Sequence, residues 1–296
     1  MEIKSVGVVG CGLMGHGIAQ VCAQKGGWDV VVTDISSEQL EKGMAKIEKQ
    51  LARAVEKGKL EQGDADAVRE RITTTEDRSD LADCDLVIEA ITEDLDRKLE
   101  LWSQLDEVVK DDALFATNTS SLSVAEQAGA TSRPGQFLGL HFFNPAQVMP
   151  LLEVVNAEGT DDETVDAGFA FGEKLGKTTV AAGDNRGFIV NRLLVPYMLD
   201  AINAYEAGVG SIEDVDAGMM AGASHPMGPI TLADFVGLDT LASIASVMEN
   251  AYGETRFAAP PTLRKLVDAG HYGRKSGRGY YDYSGDQPVA VDPNES

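Results

Sequence analysis

Apolar and polar residues alternate with two different periods along the first two thirds of the chain. Short apolar runs predict strands at 3–9, 28–33, 85–90, 113–116, 137–141 and 151–155. Apolar residues spaced three or four apart predict helices at 13–25, 36–59 and 94–110. In the second of these helices, one face is formed by Leu40, Met44, Ile47, Leu51 and Val55. Strands that alternate with helices predict an α/β fold with a doubly wound, mostly parallel sheet.

The alternation stops after about residue 185, and helical spacing continues alone. Helices are predicted at 188–207, 211–220, 231–250 and 261–269. The sequence therefore predicts a sheet domain over residues 1–185 and an all-α C-terminal domain over residues 186–284. Residues 285–296 mix Pro, Asp and Ser without periodicity, and we expect them to form a flexible tail.

A glycine-rich turn follows the first predicted strand and opens the first predicted helix. Gly10, Gly12 and Gly15 have the spacing G-x-G-x-x-G, with Leu13 and Met14 inside the motif. In this context the glycines allow a tight turn, a close approach of a pyrophosphate to the backbone, and close packing of helix on strand. The motif predicts a Rossmann-type dinucleotide site; the alternative is a turn that is merely rich in glycine.

Asp34 ends the second predicted strand, 19 residues after Gly15. A carboxylate at this place accepts hydrogen bonds from the adenosine ribose and repels a 2′-phosphate. No arginine follows immediately in ISSEQL to bind such a phosphate. Asp34 therefore predicts NAD rather than NADP, unless it only caps the next helix.

Several spaced segments identify a family by resemblance. They are TNTSSL (117–122), HFFNP (141–145), NRLLVPY (191–197), HPMGPITLADFVGLDT (225–240) and YGRKSGRGYY (272–281). Together they resemble the 3-hydroxyacyl-CoA dehydrogenases over almost the whole chain. The resemblance implies NAD-dependent oxidation of a 3-hydroxyacyl-CoA thioester to the 3-ketoacyl-CoA, or the reverse reaction.

His141 and Glu153 are the predicted catalytic pair. Oxidation of an alcohol needs a group that removes the hydroxyl proton, and imidazole is suited to this near neutral pH. Pro145 and Pro150 flank a chain reversal, so His141 and Glu153 can face each other from neighbouring strands, where the carboxylate would orient the imidazole. The family's catalytic pair falls on the same two positions. The alternatives are a core histidine and a surface carboxylate.

The resemblance assigns further polar residues to the site. It implies that Ser120 and Asn191 contact the reacting oxygen of the substrate and share the catalytic role, a function suited to hydroxyl and amide donors. It also implies that Asn118, Ser120 and Asn144 contact the cofactor, and that Asn144 also contacts substrate. The alternatives are helix caps for Ser120 and Asn191, and a turn before Pro145 for Asn144.

Four charged residues complete the predicted ligand contacts. The resemblance implies that Glu93 and Lys98 lie near the nicotinamide ribose and that Lys275 reaches the cofactor. Lys57 matches a lysine that binds coenzyme A, although Lys59 is an equal rival. Each of these residues could instead be an ordinary solvated charge.

The chain departs from the family pattern in two places. Gln50 stands where a relative has a serine near coenzyme A, and His225 replaces an aromatic residue. These departures leave the acyl-chain preference and the affinity for coenzyme A open. His16, His225 and His271 have no partners at metal-binding spacing, so no metal is predicted.

Charge is the unusual feature of the composition. The chain carries 48 acidic and 25 basic residues, a formal charge of −23. Such a surface repels nucleic acid and anionic lipid, so we expect neither as a partner. We interpret the charge as adaptation to high salt, where the Debye length falls to about 3 Å at 1 M and anionic ligands can approach.

The cellular setting is also predicted from the sequence. Three cysteines without metal-ligand spacing, no signal-peptide pattern and no long apolar run predict a soluble, cytoplasmic protein. The resemblance implies a homodimer formed through the C-terminal helices. Two other functions stay open: a dehydrogenase of a free hydroxy acid or sugar acid, and a noncatalytic NAD-binding protein.

Overall fold

The computed structural model describes residues 3–294. Residues 1–2 and 295–296, at the outer ends of the predicted first domain and tail, lie outside this range. The chain divides into two compact units between Phe188 and Ile189. The predicted boundary at 185/186 stays a prediction.

The first unit is built on an eight-stranded sheet. Its strands are β1 Ser5–Val9, β2 Asp29–Thr33, β3 Ile72–Thr75, β4 Leu86–Glu89, β5 Leu114–Thr117, β6 Phe137–Phe142, β7 Leu151–Asn156 and β8 Thr178–Gly183. The order across the sheet is β3-β2-β1-β4-β5-β6-β7-β8. All neighbours are parallel except β6 and β7, which run antiparallel. The prediction of a mostly parallel sheet is confirmed.

Helices cover both faces of this sheet. They are α1 Gly15–Val21, α2 Ser37–Glu56, α3 Gln62–Glu70, α4 Leu95–Val108, α5 Val124–Ala128 and α6 Asp162–Lys174. Along β5, Leu114 and Ala116 belong to the core that contains α2, whereas Phe115 belongs to the opposite core, with Trp102 of α4. Because successive strand residues point to opposite faces, one apolar strand supplies both cores.

Two strands of this sheet were missed by sequence reasoning, β3 and β8, and they are its two edges. Only Ile72 of β3 and Ala182 of β8 are buried, so neither strand has a continuous apolar run. An edge strand contacts fewer neighbours than a central strand, and its sequence therefore carries a weaker apolar signal.

Asp85 joins the start of β4 to the start of β1. Its carboxylate accepts hydrogen bonds from the backbone N–H groups of Lys4 at 2.7 Å and Ser5 at 2.9 Å, and pairs with Lys110 at 2.5 Å. Burial opposes ionisation of this carboxyl, but the hydrogen bonds and the Lys110 charge outweigh burial and lower its pKa to about 2. The carboxylate form is thus stabilised in the folded state.

We expect Asp85→Asn to lower the free energy of unfolding at pH 7 by about 2 kcal/mol. The folded pKa lies below the usual 3.8, so this contribution is complete above pH 4 and is lost as the pH falls towards 2. Urea unfolding at pH 7, 5 and 3 measures it, with exposed Asp83→Asn as the control. A deficit as large at pH 3 as at pH 7 would contradict this explanation.

The second unit is helical with one small hairpin. Its elements are α7 Val190–Glu206, α8 Ile212–Gly222, α9 Pro229–Val236, α10 Leu238–Tyr252, α11 Pro261–Asp268, and the strand pair β9 Tyr281–Asp282 and β10 Val289–Ala290. The strand β10 lies within the predicted tail, whose fraying stays a prediction. A single helix over 231–250 was wrong: Gly237, at φ +101°, separates α9 from α10, which are bent by 96°.

Within residues 3–294, no single helix is long and apolar enough to cross a membrane; only the bent pair α9 and α10 together passes such a test of length and composition.

Candidate active site

The carboxyl ends of the central parallel strands gather most of the predicted ligand residues. The glycine motif follows β1, Asp34 follows β2, Glu93 follows β4, and the segment 118–122 follows β5. The strand order changes direction between β1 and β4, and open α/β sheets bind ligands at such a point. The sheet therefore brings these separate segments to one edge.

The glycine motif has the geometry of a dinucleotide loop. Gly10 has φ +99°, and a Cβ there would lie 2.6 Å from the carbonyl oxygen of Ala90. A Cβ on Gly15 would lie 1.7 Å from the carbonyl oxygen of Gly10. A Cβ on Gly12 would meet no atom within 4 Å. Gly10 and Gly15 are thus required by the fold, whereas Gly12 leaves open space that suits a pyrophosphate beside the backbone.

His16 holds this loop and was not predicted to do so. Its Nδ1 lies 2.6 Å from the carbonyl oxygen of Gly12, so Nδ1 carries the proton because a carbonyl only accepts. Burial lowers the pKa of His16, and the bond to Gly12 only partly opposes this shift. The position of His16 in the first turn after the glycine motif was the sequence signal that could have indicated this contact.

Asp34 lies beside the glycine loop, as its predicted cofactor role requires. One carboxylate oxygen accepts a hydrogen bond from the N–H of Cys11 at 2.7 Å, and the other accepts one from Ile35 at 2.7 Å. These bonds fix the carboxylate at the end of β2. Each oxygen keeps a further lone pair that can accept a ribose hydroxyl.

Glu93 organises the segment after β5. One of its oxygens accepts hydrogen bonds from the side chain of Thr119 at 2.6 Å and from the backbone N–H groups of Ser120 at 2.9 Å and Ser121 at 3.2 Å. The Ser120 hydroxyl lies 3.3 Å from the same oxygen. Burial opposes ionisation, but the Lys98 charge and these bonds outweigh it and hold the pKa of Glu93 below its usual range.

Lys98 lies behind Glu93 and is only 1% exposed. Its ammonium pairs with Glu89 at 2.6 Å and with Glu93 at 3.2 Å. The contact between Lys98 and the cofactor, which the family resemblance implied, stays a prediction. In the structure Lys98 contacts Glu93, another of the predicted cofactor residues.

His141 and Glu153 form the pair that the sequence predicted. They are directly opposite each other on the antiparallel strands β6 and β7, where facing side chains lie close. Nδ1 of His141 lies 2.6 Å from an oxygen of Glu153, whose side chain is fully buried. The rings of Phe143 and Phe188 lie 4.5 and 5.4 Å from the imidazole. The predicted facing of His141 and Glu153 is confirmed.

The segment that follows β6 carries Asn144, which is exposed. Lys177, another residue that was not predicted, donates to the carbonyl oxygens of Ala146 at 2.5 Å and Met149 at 2.6 Å and so holds this segment. A lysine that follows a helix and precedes an edge strand gave no sequence signal. Asn118 accepts from the N–H of Phe142 at 2.9 Å, which ties the end of β5 to the end of β6.

Gln50, one of the two departures from the family pattern, has a hydrogen-bond partner in the structure. Gln50 accepts a hydrogen bond from Gln147 in the segment after β6. Lys57, seven residues after Gln50, directly follows the last residue of α2. Lys57 and Lys59 are both exposed, so their surroundings do not favour either one as the contact to coenzyme A.

Asn191 and Lys275 belong to the second unit. Asn191 is the second residue of α7, which begins without a side-chain cap. Lys275 pairs with Asp239 at 2.5 Å and is half-exposed. His225, the second departure from the family pattern, is hydrogen-bonded to Tyr197 at 2.8 Å. Over residues 3–294, no three His, Cys, Asp or Glu side chains are grouped in a way that could hold a metal ion.

Comparisons with known proteins show the family of this chain. The model of the 3-hydroxyacyl-CoA dehydrogenase NAD binding domain matches residues 5–185, and the model of that family's C-terminal domain matches residues 187–283. The 3-hydroxybutyryl-CoA dehydrogenase of Bradyrhizobium diazoefficiens is 45% identical over 287 residues, which cover 97% of this chain and 98% of that protein.

Solved structures give the same result. FadB2 of Mycobacterium tuberculosis superposes with a TM-score of 0.93 at 46% identity, covering 96% of this chain and all of that one. The (S)-3-hydroxybutyryl-CoA dehydrogenase PaaH1 of Ralstonia eutropha gives 0.91 at 40% identity with the same coverage. The chain therefore belongs to the 3-hydroxyacyl-CoA dehydrogenase family. It is an oxidoreductase with NAD as its cofactor, as the sequence predicted.

Proposed function

We propose that this protein oxidises (S)-3-hydroxyacyl-CoA, such as 3-hydroxybutyryl-CoA, to the 3-ketoacyl-CoA and catalyses the reverse reduction, with His141 as the general base and acid. The hydrogen bond between His141 Nδ1 and buried Glu153 is the observation that carries this proposal. It fixes the imidazole by one nitrogen and leaves Nε2 for the substrate. The relatives with 40–45% identity act, by name, on 3-hydroxybutyryl-CoA.

The chemistry needs one base. A carboxylate only accepts, so Nδ1 of His141 carries the proton and Nε2 keeps its lone pair. Nε2 takes the 3-hydroxyl proton while the C3–O bond becomes a carbonyl, and buried Glu153 stabilises the positive charge that forms on the ring. NAD bound at the glycine loop would supply the acceptor for the hydride of C3. In the reverse direction His141 returns its proton to the oxygen.

The remaining assignments follow donor chemistry. We assign Ser120 and Asn191 to the substrate oxygen, Asn144 to both ligands, and Lys57 to a phosphate of coenzyme A. The cofactor contacts that we propose are Gly10, Gly12, Leu13, Met14, Gly15, Asp34, Glu93, Lys98, Asn118, Ser120, Asn144 and Lys275. The open space at Gly12 and the free lone pairs of Asp34 support this cofactor site.

The direct test compares a thioester with its free acid. NADH consumption is measured with acetoacetyl-CoA and with acetoacetate at equal concentration, from low salt to 2 M KCl. Turnover of the thioester alone supports the proposal. Turnover of acetoacetate would favour a free-acid dehydrogenase, and folded protein that binds NADH without turnover of either compound would favour a noncatalytic role.

We also propose the setting in which the enzyme works: a salt-adapted, cytoplasmic homodimer without nucleic-acid or membrane partners. The charge of −23 supports salt adaptation and repulsion of polyanions. Exposed apolar side chains of the second unit, including Leu193, Met220 and Phe235, support a dimer surface. Light scattering across the same salt series tests the proposed homodimer, and a monomer at every salt concentration would contradict it.

A further inference from the structure

A short turn, residues 184–188, follows the edge strand β8 and ends the first unit. The carboxylate of Asp184, the first residue of this turn, accepts three hydrogen bonds from the start of α5. The donors are the hydroxyl of Ser123 at 2.9 Å and the backbone N–H groups of Val124 at 2.9 Å and Ala125 at 2.8 Å. The first N–H groups of a helix have no partner within the helix, so Asp184 satisfies them from outside.

Asp184 and Glu93 hold the segment after β5 from its two ends. Glu93, which follows β4, accepts hydrogen bonds from the N–H groups of Ser120 and Ser121. Asp184 accepts from the donors that begin at Ser123. Only one residue separates the two sets of donors. The segment that carries Ser120 is therefore held between two carboxylates that follow different strands of the sheet.

The turn 184–188 also contacts the proposed base. Phe188, its last residue, is buried, and its ring lies 5.4 Å from the imidazole of His141. Phe188 has φ +47°, in the left-handed region, which is unfavourable for a bulky side chain and persists where the surrounding structure fixes it. Its N–H donates to the carbonyl oxygen of Asn185 at 2.8 Å, which closes the turn. The turn therefore contacts the segment after β5 at one end and His141 at the other.

Loss of the Asp184 charge would release one end of the segment. Asp184→Asn keeps one acceptor oxygen, but its amide N–H₂ group would face donors that it cannot accept. Arg186, in the same turn, donates to the carbonyl oxygen of Ser121, but at 3.4 Å this is a weaker bond. The segment would then be held mainly by Glu93, and the hydroxyl of Ser120 would sample more positions.

We propose that Asp184 is a positioning residue that holds the segment after β5, and with it the hydroxyl of Ser120, in place relative to His141. This role rests on the proposed function, in which Ser120 contacts the reacting oxygen. A donor that is displaced by about 1 Å from the position where charge develops loses much of its effect on the rate. Asp184 thus acts on the reaction through Ser120.

The experiment is a double-mutant cycle in the full chain, with Asp184→Asn, Ser120→Ala and the double variant. We expect Asp184→Asn to lower kcat for acetoacetyl-CoA reduction about 30-fold and Ser120→Ala to lower it about 100-fold. The double variant should also lose about 100-fold, because Asp184→Asn can then displace only a hydroxyl that is already absent. The Kd of NADH should rise severalfold in both single variants and no further in the double variant, because Ser120 is also assigned to the cofactor.

Hydrogen exchange gives a readout that needs no turnover. In Asp184→Asn, faster exchange at Val124 and Ala125 follows directly from the loss of their acceptor. The proposal predicts faster exchange at Ser120 and Ser121 as well, although these amides donate to a different carboxylate. A cap that acts only on α5 would leave these two amides unchanged.

Asp77→Asn is the matched control. Asp77 accepts the N–H of Ser79 at 2.8 Å at the start of a short helix, and this helix follows β3 at the other edge of the sheet. The variant therefore also weakens the cap of a short helix, but not on the segment that carries Ser120. Its amide exchange at Ser120, its kcat and its Kd for NADH should equal those of the wild type.

Two results would overturn the proposal. If Asp184→Asn lowers kcat about 30-fold in the Ser120→Ala background too, the loss does not act through Ser120. Wild-type exchange at Ser120 and Ser121 in Asp184→Asn would show that Asp184 does not hold this segment. If Asp184→Asn does not fold, Ser123→Ala, which removes one of the three hydrogen bonds to Asp184, takes its place in the cycle. A loss of kcat that disappears in the Ser120→Ala background then supports the proposal, whereas no loss, or an equal loss in both backgrounds, overturns it.

Failure of the proposed function would have a different signature. Wild-type protein without thioester turnover would refute the proposed reaction, whereas amide exchange and NADH affinity would still test whether Asp184 holds the segment after β5.

Discussion

Replacement of His141 by glutamine should lower kcat for acetoacetyl-CoA reduction by about 10⁴-fold. Glutamine can still donate an N–H to Glu153, so the buried carboxylate keeps a hydrogen-bond partner and the fold should survive. Glutamine cannot exchange a proton at neutral pH, so the carbonyl oxygen would receive no proton from the protein. The loss should therefore appear in kcat, while the Kd of NADH stays at its wild-type value.

Steady-state kinetics with fluorescence titration of NADH checks this expectation. The control is His271→Gln, which removes an imidazole from a loop of the second unit to which no role is assigned. Thermal unfolding of both variants tests whether they are folded. If His141→Gln keeps more than a tenth of the wild-type kcat, another group must move the proton and the assignment of His141 is wrong.

Replacement of Glu153 by glutamine should lower kcat by about 10³-fold. An amide can present either its oxygen or its nitrogen to Nδ1 of His141, and only the oxygen preserves the ring tautomer in which Nε2 is the base. In neither orientation does the amide stabilise the positive charge that His141 acquires in the transition state. The effect should be smaller than that of His141→Gln because the imidazole remains.

Glu158→Gln is the matched control for this variant, since Glu158 is an exposed carboxylate just beyond the same strand. It should have wild-type kcat. The Kd of NADH should be equal in the wild type, Glu153→Gln and Glu158→Gln. A Glu153→Gln protein that is folded and as active as Glu158→Gln would show that the buried carboxylate has only a structural role.

The central part of the fold could be predicted because its strands are buried on both faces. The runs that became β1, β4 and β5 are apolar at nearly every position, and this signal does not depend on distant residues. The edge strands β3 and β8 have one buried residue each and gave no such signal. The break at Gly237 was missed because an isolated glycine in an apolar helical pattern also occurs inside continuous helices.

The candidate site, like the fold, could be predicted only in part. His141, Glu153 and the glycine motif could be found because their chemistry and spacing are visible along the chain. The roles of His16 and Lys177 could not be found, because each depends on a contact with a segment whose position only the folded chain defines. Lys98 was predicted to lie near the cofactor, but its burial against Glu89 at the end of β4 could not be predicted from the sequence.

Transfer of deuterium from C3 of the substrate to the cofactor tests the central claim most directly. Wild-type protein is incubated with NAD and (S)-3-hydroxybutyryl-CoA deuterated at C3, and NMR locates the deuterium. The proposed function predicts one deuterium in each NADH formed and none released to water. Deuterium in water, or NADH formed from free 3-hydroxybutyrate but not from the thioester, would contradict it.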